Sequence, residues 1–194
     1  SLPEPQEKLL LQQIISHTLQ EAGYLHLGMD HYVLPDDELA IAQREGRLQR
    51  NFQGYSLHMA DDLLGLGVSA ISQIGDFYLQ NERDLQGYYQ LIKAGELPSN
   101  RGCKVNSDDK LRRHIIMSLI SDLRLDTLEC NRQFGIDFPA HFREELAKLQ
   151  PMVADGLLEL SDQEISVTPR GRPFLRNICM PFDAYLDAHQ GDQP

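Results

Sequence analysis

Residues 22–56, AGYLHLGMDHYVLPDDELAIAQREGRLQRNFQGYS, pass from the end of a helix into a strand and on into a second helix. Tyr24 to Gly28 alternates in the manner of a short strand. Pro35-Asp36-Asp37-Glu38 opens a helix whose first-turn carboxylates complement the positive end of its dipole. That helix runs to about Glu45, and Gly46 stops it. Upstream, from about Pro5 to Ala22, the residues Leu10, Leu11, Ile14, Ile15, Leu19 and Ala22 recur at 3.6-residue spacing on one helical face. Gly23 ends that helix, as glycine does at a C-cap. Helix, strand and helix in this order make an αβ unit of the kind that builds parallel sheets and barrels.

Downstream, Asp62 to Val68 (DLLGLGV) is a near-continuous apolar run and suits a strand covered on both faces. Gly65 and Gly67 weaken it as a strand and make sense where another backbone or a ligand comes close. A further helix is expected from about Asp84 to Ala94. The segment Glu96–Ser107, ELPSNRGCKVNS, holds turn residues without periodicity and is read as a boundary between an α/β part, 1–96, and a second domain, 107–194. In that second domain Ser107 is the expected N-cap of a helix carrying Leu111, Ile115, Ile116, Leu119, Ile120 and Leu123 on a wide apolar arc. A short helix near Leu128–Phe134 follows, then one from about Pro139 to Ala154. Asp155-Gly156 turns into strands Leu157–Leu160 and Glu164–Val167. Thr168-Pro169 then starts a last helix running to about Ala188. The order of helices and hairpin is that of a winged-helix module.

Charge limits what such a module can do. Lys and Arg total 18 against 29 Asp and Glu, a formal net charge of −11. A chain of that sign is repelled by nucleic acid and by anionic lipid surfaces. The helix that would read DNA, PAHFREELAKLQ, sets Arg143 and Lys148 against Glu144 and Glu145, so it is read as a packing element. No apolar run approaches the roughly 20 residues that span a bilayer, and residues 1–8 are polar and Pro-rich, unlike a signal peptide. Cys103, Cys130 and Cys179 are too dispersed for a disulfide framework or a metal motif and are read as reduced thiols of a cytoplasmic protein. An abrupt start, with a helix and no initiator Met, suggests a piece of a longer protein.

Few side chains stand out as chemistry. Asp30-His31 follows the first strand, where active groups collect in α/β barrels, and is read as a pair that orients its neighbours. Arg112, inside an apolar arc, must be paired, because an isolated buried charge is very costly. It is expected to be largely buried against a carboxylate or a carbonyl; the sharper reading of Arg112 and Arg113 is contact with an anionic substrate. Arg170, Arg172 and Arg176 form a second basic spot, read as a solvated face. Gly65-Leu66-Gly67-Val68-Ser69-Ala70 imitates a dinucleotide fingerprint, but the glycines lie within the apolar run with no clear helix after them. The better reading is a strand whose end, Ser69 to Ser72, lines a cofactor pocket through backbone atoms and Ile71. No Ser-His-Asp order, P-loop or zinc spacing is present.

The words of the sequence carry more than its periodicity. Residues 22–56, the segment DLLGLGVSAISQIGDFYLQN, residues 107–124 (SDDKLRRHIIMSLISDLR) and the tail ISVTPRGRPFLRNICMPFDAYL resemble, in order, the C-terminal portion of the oxygen-independent coproporphyrinogen III oxidases, radical S-adenosylmethionine enzymes. The resemblance implies the last strands and helices of a partial barrel over 1–96, followed by a mostly helical, winged-helix-like domain over 107–194. It implies oxidative decarboxylation of coproporphyrinogen III to protoporphyrinogen IX by the full-length protein. S-adenosylmethionine and a [4Fe-4S] cluster held by a CxxxCxC motif would serve there as cofactors. That motif is absent from this chain, so neither cofactor is expected to bind the chain alone and no catalytic or metal residue is assigned. Ile71 matches the position that packs against the cluster-bound cofactor, and Phe52 and Gln53 match positions bordering the same pocket. The expected parent is a monomer without nucleic-acid or membrane partners, while an incomplete sheet lets the chain self-associate. Related haem chaperones, or a non-catalytic winged-helix interaction module, are the alternatives.

Overall fold

The computed structural model describes residues 3–52, 54–57 and 62–186. It is a mixed α/β chain that divides into two compact units, the described residues of Ser1–Leu57 with His114–Pro194, and those of His58–Arg113. Among the described residues no helix is long and apolar enough to cross a membrane.

The first unit starts with α1 (Pro5–Glu21), then β1 (Leu25–Gly28) and β2 (His31–Val33), α2 (Glu38–Arg44), β3 (Gln49–Asn51) and β4 (Gly54–Ser56). The parallel sheet expected from the αβ order is not what these strands form with one another. β1 turns straight back through Met29-Asp30 and pairs antiparallel with β2, and β3 pairs antiparallel with β4. A parallel pair needs a long crossover, whereas neighbours joined by so short a turn can only run antiparallel. Met29 takes φ 54 to close the turn. Asp37 caps α2 by accepting from the Leu39 amide at 2.8 Å. Leu27, Ala42 and Leu48 form a small dry cluster, with Val33, Leu39, Tyr55 and Leu57 packed on it. The apolar residues of α1 have no such cover: Leu10, Leu11, Ile14 and Ile15 are all more than 40% exposed.

The second unit is built on an antiparallel sheet of β5 (Ile71–Ile74), β6 (Phe77–Asn81) and β7 (Ser99–Lys104), in the order β5-β6-β7. Helix α3 (Leu85–Ala94) lies between β6 and β7 in sequence, capped by Asp84 at one end and by left-handed Gly95 at the other. Two expectations change here. Asp62–Val68 is not a strand; only Leu63 bridges, to Gln73. The supposed boundary loop 96–107 contains β7, whose register shifts beside Asn81 to follow β6. An edge strand that buries no face has no apolar alternation to announce it.

Helix α4 (Ser107–Asp122) begins in the second unit and ends in the first. Its cap is Asn106 rather than Ser107: Asn106 Oδ1 accepts from the Asp109 amide and Asp109 Oδ2 accepts from the Asn106 amide, both at 2.9 Å. This reciprocal pair satisfies two amides that a helix start leaves open. β8 (Arg124–Asp126), α5 (Thr127–Phe134), α6 (Phe138–His141), α7 (Arg143–Ala154), β9 (Leu158–Leu160) and β10 (Glu164–Val167) follow. The hairpin stands where the sequence puts it, and β8 joins it to give the antiparallel order β8-β10-β9. The expected helix over 139–154 is broken at Phe142, whose φ of −108 lets its ring turn into the core. There it meets Phe138 at 4.9 Å and Phe182 at 5.6 Å between centroids. Each such ring contributes roughly 1.5–3 kcal/mol through burial.

The last helix expected, 168–188, is instead a 3-10 turn (Arg172–Phe174), helix α8 (Leu175–Cys179) and a second 3-10 turn (Met180–Phe182), with residues after 186 outside the described part. Gly171 sets the start. A Cβ there would lie 1.8 Å from the Leu157 carbonyl oxygen, so two backbones touch at this point.

Candidate functional site

The turn between β1 and β2 and the strands β3 and β4 bring together a polar group around Tyr55. His31 Nδ1 lies 2.9 Å from Asp30 Oδ1. The His31 ring meets the Tyr55 ring edge-on, 5.0 Å between centroids at 86°. The Arg50 guanidinium sits over the same ring, 4.8 Å from its centroid. Tyr55 donates its hydroxyl proton to the Ile120 carbonyl at 3.0 Å. Gly28 is required beneath it, since a Cβ would come within 2.4 Å of that hydroxyl oxygen. Burial pushes the Tyr55 phenol above its usual 10.0, and the neighbouring Arg50 charge pulls part of the way back. The phenol therefore stays a neutral donor. The contact between Asp30 and the His31 ring is one of proximity, for His31 Nδ1 has no hydrogen-bond acceptor among the described residues. Asp30 and His31 thus lie side by side, as their adjacency after the first strand suggested.

Arg172 belongs to the same unit and is not on a solvated face. It is half-buried and donates from Nη1 to the His26 carbonyl at 2.7 Å, and burial pulls its pKa below the usual arginine value. His26 stacks on Tyr32 at 4.6 Å and its Nε2 lies 2.9 Å from the Met29 carbonyl; burial holds the imidazole below 6.5. Gln43 ties β1 to α4 by donating to the carbonyls of Leu27 and Ser121, each at 2.8 Å. Arg112 behaves as expected: its side chain is 17% exposed, and Nε donates to Asp108 Oδ2 at 2.7 Å, one helical turn away. Arg113, in the second unit, donates to Gln73 Oε1 at 2.8 Å and lies 5.6 Å from the centre of the Tyr78 ring.

Of the predicted cofactor residues, Phe52 is on the β3–β4 turn with a 55% exposed ring, and Ile71 opens β5, half-buried. They fall in different compact units, and Gln53 lies outside the described residues. The glycines before Ile71 serve backbone contact. A Cβ on Gly65 would lie 2.6 Å from the Ile71 carbonyl oxygen, and buried Asn81 donates its amide to the carbonyls of Gly65 and Gly67 at 3.1 and 2.9 Å. Arg50, Tyr55 and Asn81 escaped the sequence reading. The alternation Arg50–Phe52 and Gly54–Ser56 across a short turn was the available signal for the first two.

Cys103 is exposed, and the other two thiols do not suit a cluster. Clusters are held by thiolates, yet burial raises Cys130 to about 11 and Cys179 to about 12. Among the described residues no three His, Cys, Asp or Glu are grouped so as to hold a metal.

Residues 105–174 match the HemN C-terminal domain family. The chain is similar to the C-terminal part of the oxygen-independent coproporphyrinogen III oxidases. It is 49% identical over 185 residues to the Salmonella typhimurium oxidase, covering 95% of this chain and 40% of that protein. It is 44% identical over 192 residues to the Thermostichus vulcanus oxidase, covering 98% of this chain and 59% of that one. The solved structure of coproporphyrinogen III oxidase (HemN) from Escherichia coli, described as a radical SAM enzyme, superposes with a TM-score of 0.90 at 48% identity, over 95% of this chain and 43% of that one. The chain thus spans about 40% of the length of the Salmonella relative.

Proposed function

We propose that this chain is the C-terminal portion of a cytoplasmic radical S-adenosylmethionine enzyme that converts coproporphyrinogen III to protoporphyrinogen IX, and that alone it is inactive. The observation that carries the reading is the 49% identity to the Salmonella oxidase over 95% of the chain. The chemistry supplied by the bound cofactor is reductive cleavage to a radical that removes hydrogen from two propionate side chains. Phe52, Gln53 and Ile71 match the positions that would contact that cofactor in the full-length enzyme. Apolar Phe52 and Ile71 suit an adenine face and exclude water from reactive species. The iron–sulfur cluster is held outside this chain, which lacks the CxxxCxC motif.

Residues 1–96 are the last part of the barrel. Residues 107–194 form a winged-helix-like cap, a reading supported by the β8-β10-β9 sheet with α4, α5 and α7 and by the family match beginning at residue 105. The cap binds neither nucleic acid nor membrane, in keeping with the charge of −11. The intact enzyme is a monomer; the chain alone self-associates. Under dithionite, the purified chain forms no 5′-deoxyadenosine from S-adenosylmethionine, and the full-length enzyme does. Cleavage by the chain alone would overturn the reading. Stoichiometric tight haem binding would favour a chaperone instead, and a salt-sensitive shift of duplex DNA a nucleic-acid module.

A further inference from the structure

We propose that Arg50, which shares the Tyr55 ring with His31, binds a carboxylate of a small-molecule ligand. The inference rests on the function proposed above. Three observations carry it.

Arg50 is half-buried on β3, and its Nη1 is fully buried with no hydrogen-bond acceptor among the described residues. No carboxylate among those residues lies within ion-pair distance of it, although carboxylates outnumber cations 29 to 18 in this chain. Arg112, the comparable half-buried arginine, does find its carboxylate in Asp108. A charge removed from water without a counter-charge is destabilising, so Arg50 is a poor choice for structure alone.

Its placement suits recognition. The guanidinium lies over Tyr55, whose negative ring face favours the cation and keeps the planar fork ordered. An ordered fork loses little entropy on meeting the two oxygens of a carboxylate. His31, with Asp30 beside it, stands against the same tyrosine. Arg50 is also two residues from Phe52, the proposed border of the cofactor pocket. Two molecules of the proposed reaction offer the required group: the tetrapyrrole through its propionates, and S-adenosylmethionine through its amino-acid carboxylate.

The test uses the full-length enzyme with Arg50→Gln and Arg50→Lys, and Arg132→Gln as an off-site control. Arg132 is exposed and paired with Glu129. Coproporphyrin III binding is followed by fluorescence, with its tetramethyl ester as the uncharged counterpart, and S-adenosylmethionine binding by equilibrium dialysis. Arg50→Gln is expected to weaken one of the two carboxylate ligands about tenfold, the size of a lost charge-assisted hydrogen bond. Arg50→Lys should lose less, and Tm should stay within a few degrees of wild type in both. Weakening confined to coproporphyrin, and absent for the ester, assigns the propionate. Weakening confined to S-adenosylmethionine assigns the methionine carboxylate. Unchanged binding of both ligands in a variant that folds and an enzyme that still turns over would overturn the inference while leaving the proposed function standing. Equal weakening of the ester, or a fall in Tm that accounts for the loss in both variants, would also overturn it. A wild-type enzyme that forms no 5′-deoxyadenosine would instead sink the functional reading.

Discussion

Single residues in this chain are constrained chiefly by what their atoms would collide with or leave unpaired. Gly171 is the sharpest case. Its Cβ position is occupied by the Leu157 carbonyl, which is backbone and cannot rotate aside. Gly171→Ala should cost roughly 3 kcal/mol, as overpacking against an unyielding neighbour does; urea unfolding of the variant would measure it, and an unchanged midpoint would contradict the contact. The cysteines make a second prediction. Cys103 is exposed, while Cys130 and Cys179 are buried and raised to about 11 and about 12. Iodoacetamide at neutral pH should therefore modify one thiol in the native chain and all three after unfolding, counted by intact mass. Arginines divide by partner rather than by sequence spacing. Arg112 was legible because an apolar arc demanded a counter-charge. Arg172 was not, because its partner is the His26 carbonyl, 146 residues away.

At the scale of elements, the segment 62–70 shows why apolar composition misleads. DLLGLGV looks like a buried strand, but its glycines serve as acceptors for one side chain. Buried Asn81 donates to the carbonyls of Gly65 and Gly67, the Ser72 hydroxyl is 3.0 Å from the Gly65 amide, and Asn81 N donates to Ala70 O at 2.9 Å. Asn81→Ala should lose about 2 kcal/mol, since buried carbonyls are left without donors. The loss should be local, and limited proteolysis should cut first between 62 and 70. Cleavage elsewhere at wild-type rates would contradict it. The helices α2, α3 and α5 were legible within a residue or two because their Asp caps and C-terminal glycines or basic residues are local signals. β7 was not, because every one of its residues is exposed and its strand character comes from its pairing with β6.

For the whole molecule, two properties follow. Burial holds His26 and His114 below 6.5. Both are neutral in the fold, while the unfolded chain takes up protons once the pH falls below 6.5. Their contribution to stability is complete above 6.5 and is lost as the pH drops toward their lowered values. Asp122 acts in the opposite sense at lower pH: burial raises it above 3.8, so its protonation favours the fold. Thermal melts between pH 7 and 5.5 should show a falling Tm, and His26→Gln with His114→Gln should flatten that limb. The second property concerns α1. Leu10, Leu11, Ile14 and Ile15 are solvent-exposed, and a contiguous apolar stripe of this kind drives association. Sedimentation should find the isolated chain larger than a monomer, and Leu11→Glu with Ile15→Glu should return it toward one. The candidate site was partly legible at this scale. Asp30 and His31 could be named from their place after the first strand, whereas Arg50 became visible only when folding put it over Tyr55 without a carboxylate.

Three contacts that join distant parts of the first unit have a common form. Gln43, Tyr55 and Arg172 each donate from a side chain, and the acceptors are the main-chain oxygens of Leu27, Ser121, Ile120 and His26. An acceptor on the main chain is present whatever residue occupies its position. Mutational tolerance across these joints is therefore lopsided. Positions 26, 120 and 121 can change identity within the volume available and keep the joint, whereas 43, 55 and 172 cannot. A saturation library selected for folded protein should show that asymmetry, permissive on the accepting side and nearly fixed on the donating side.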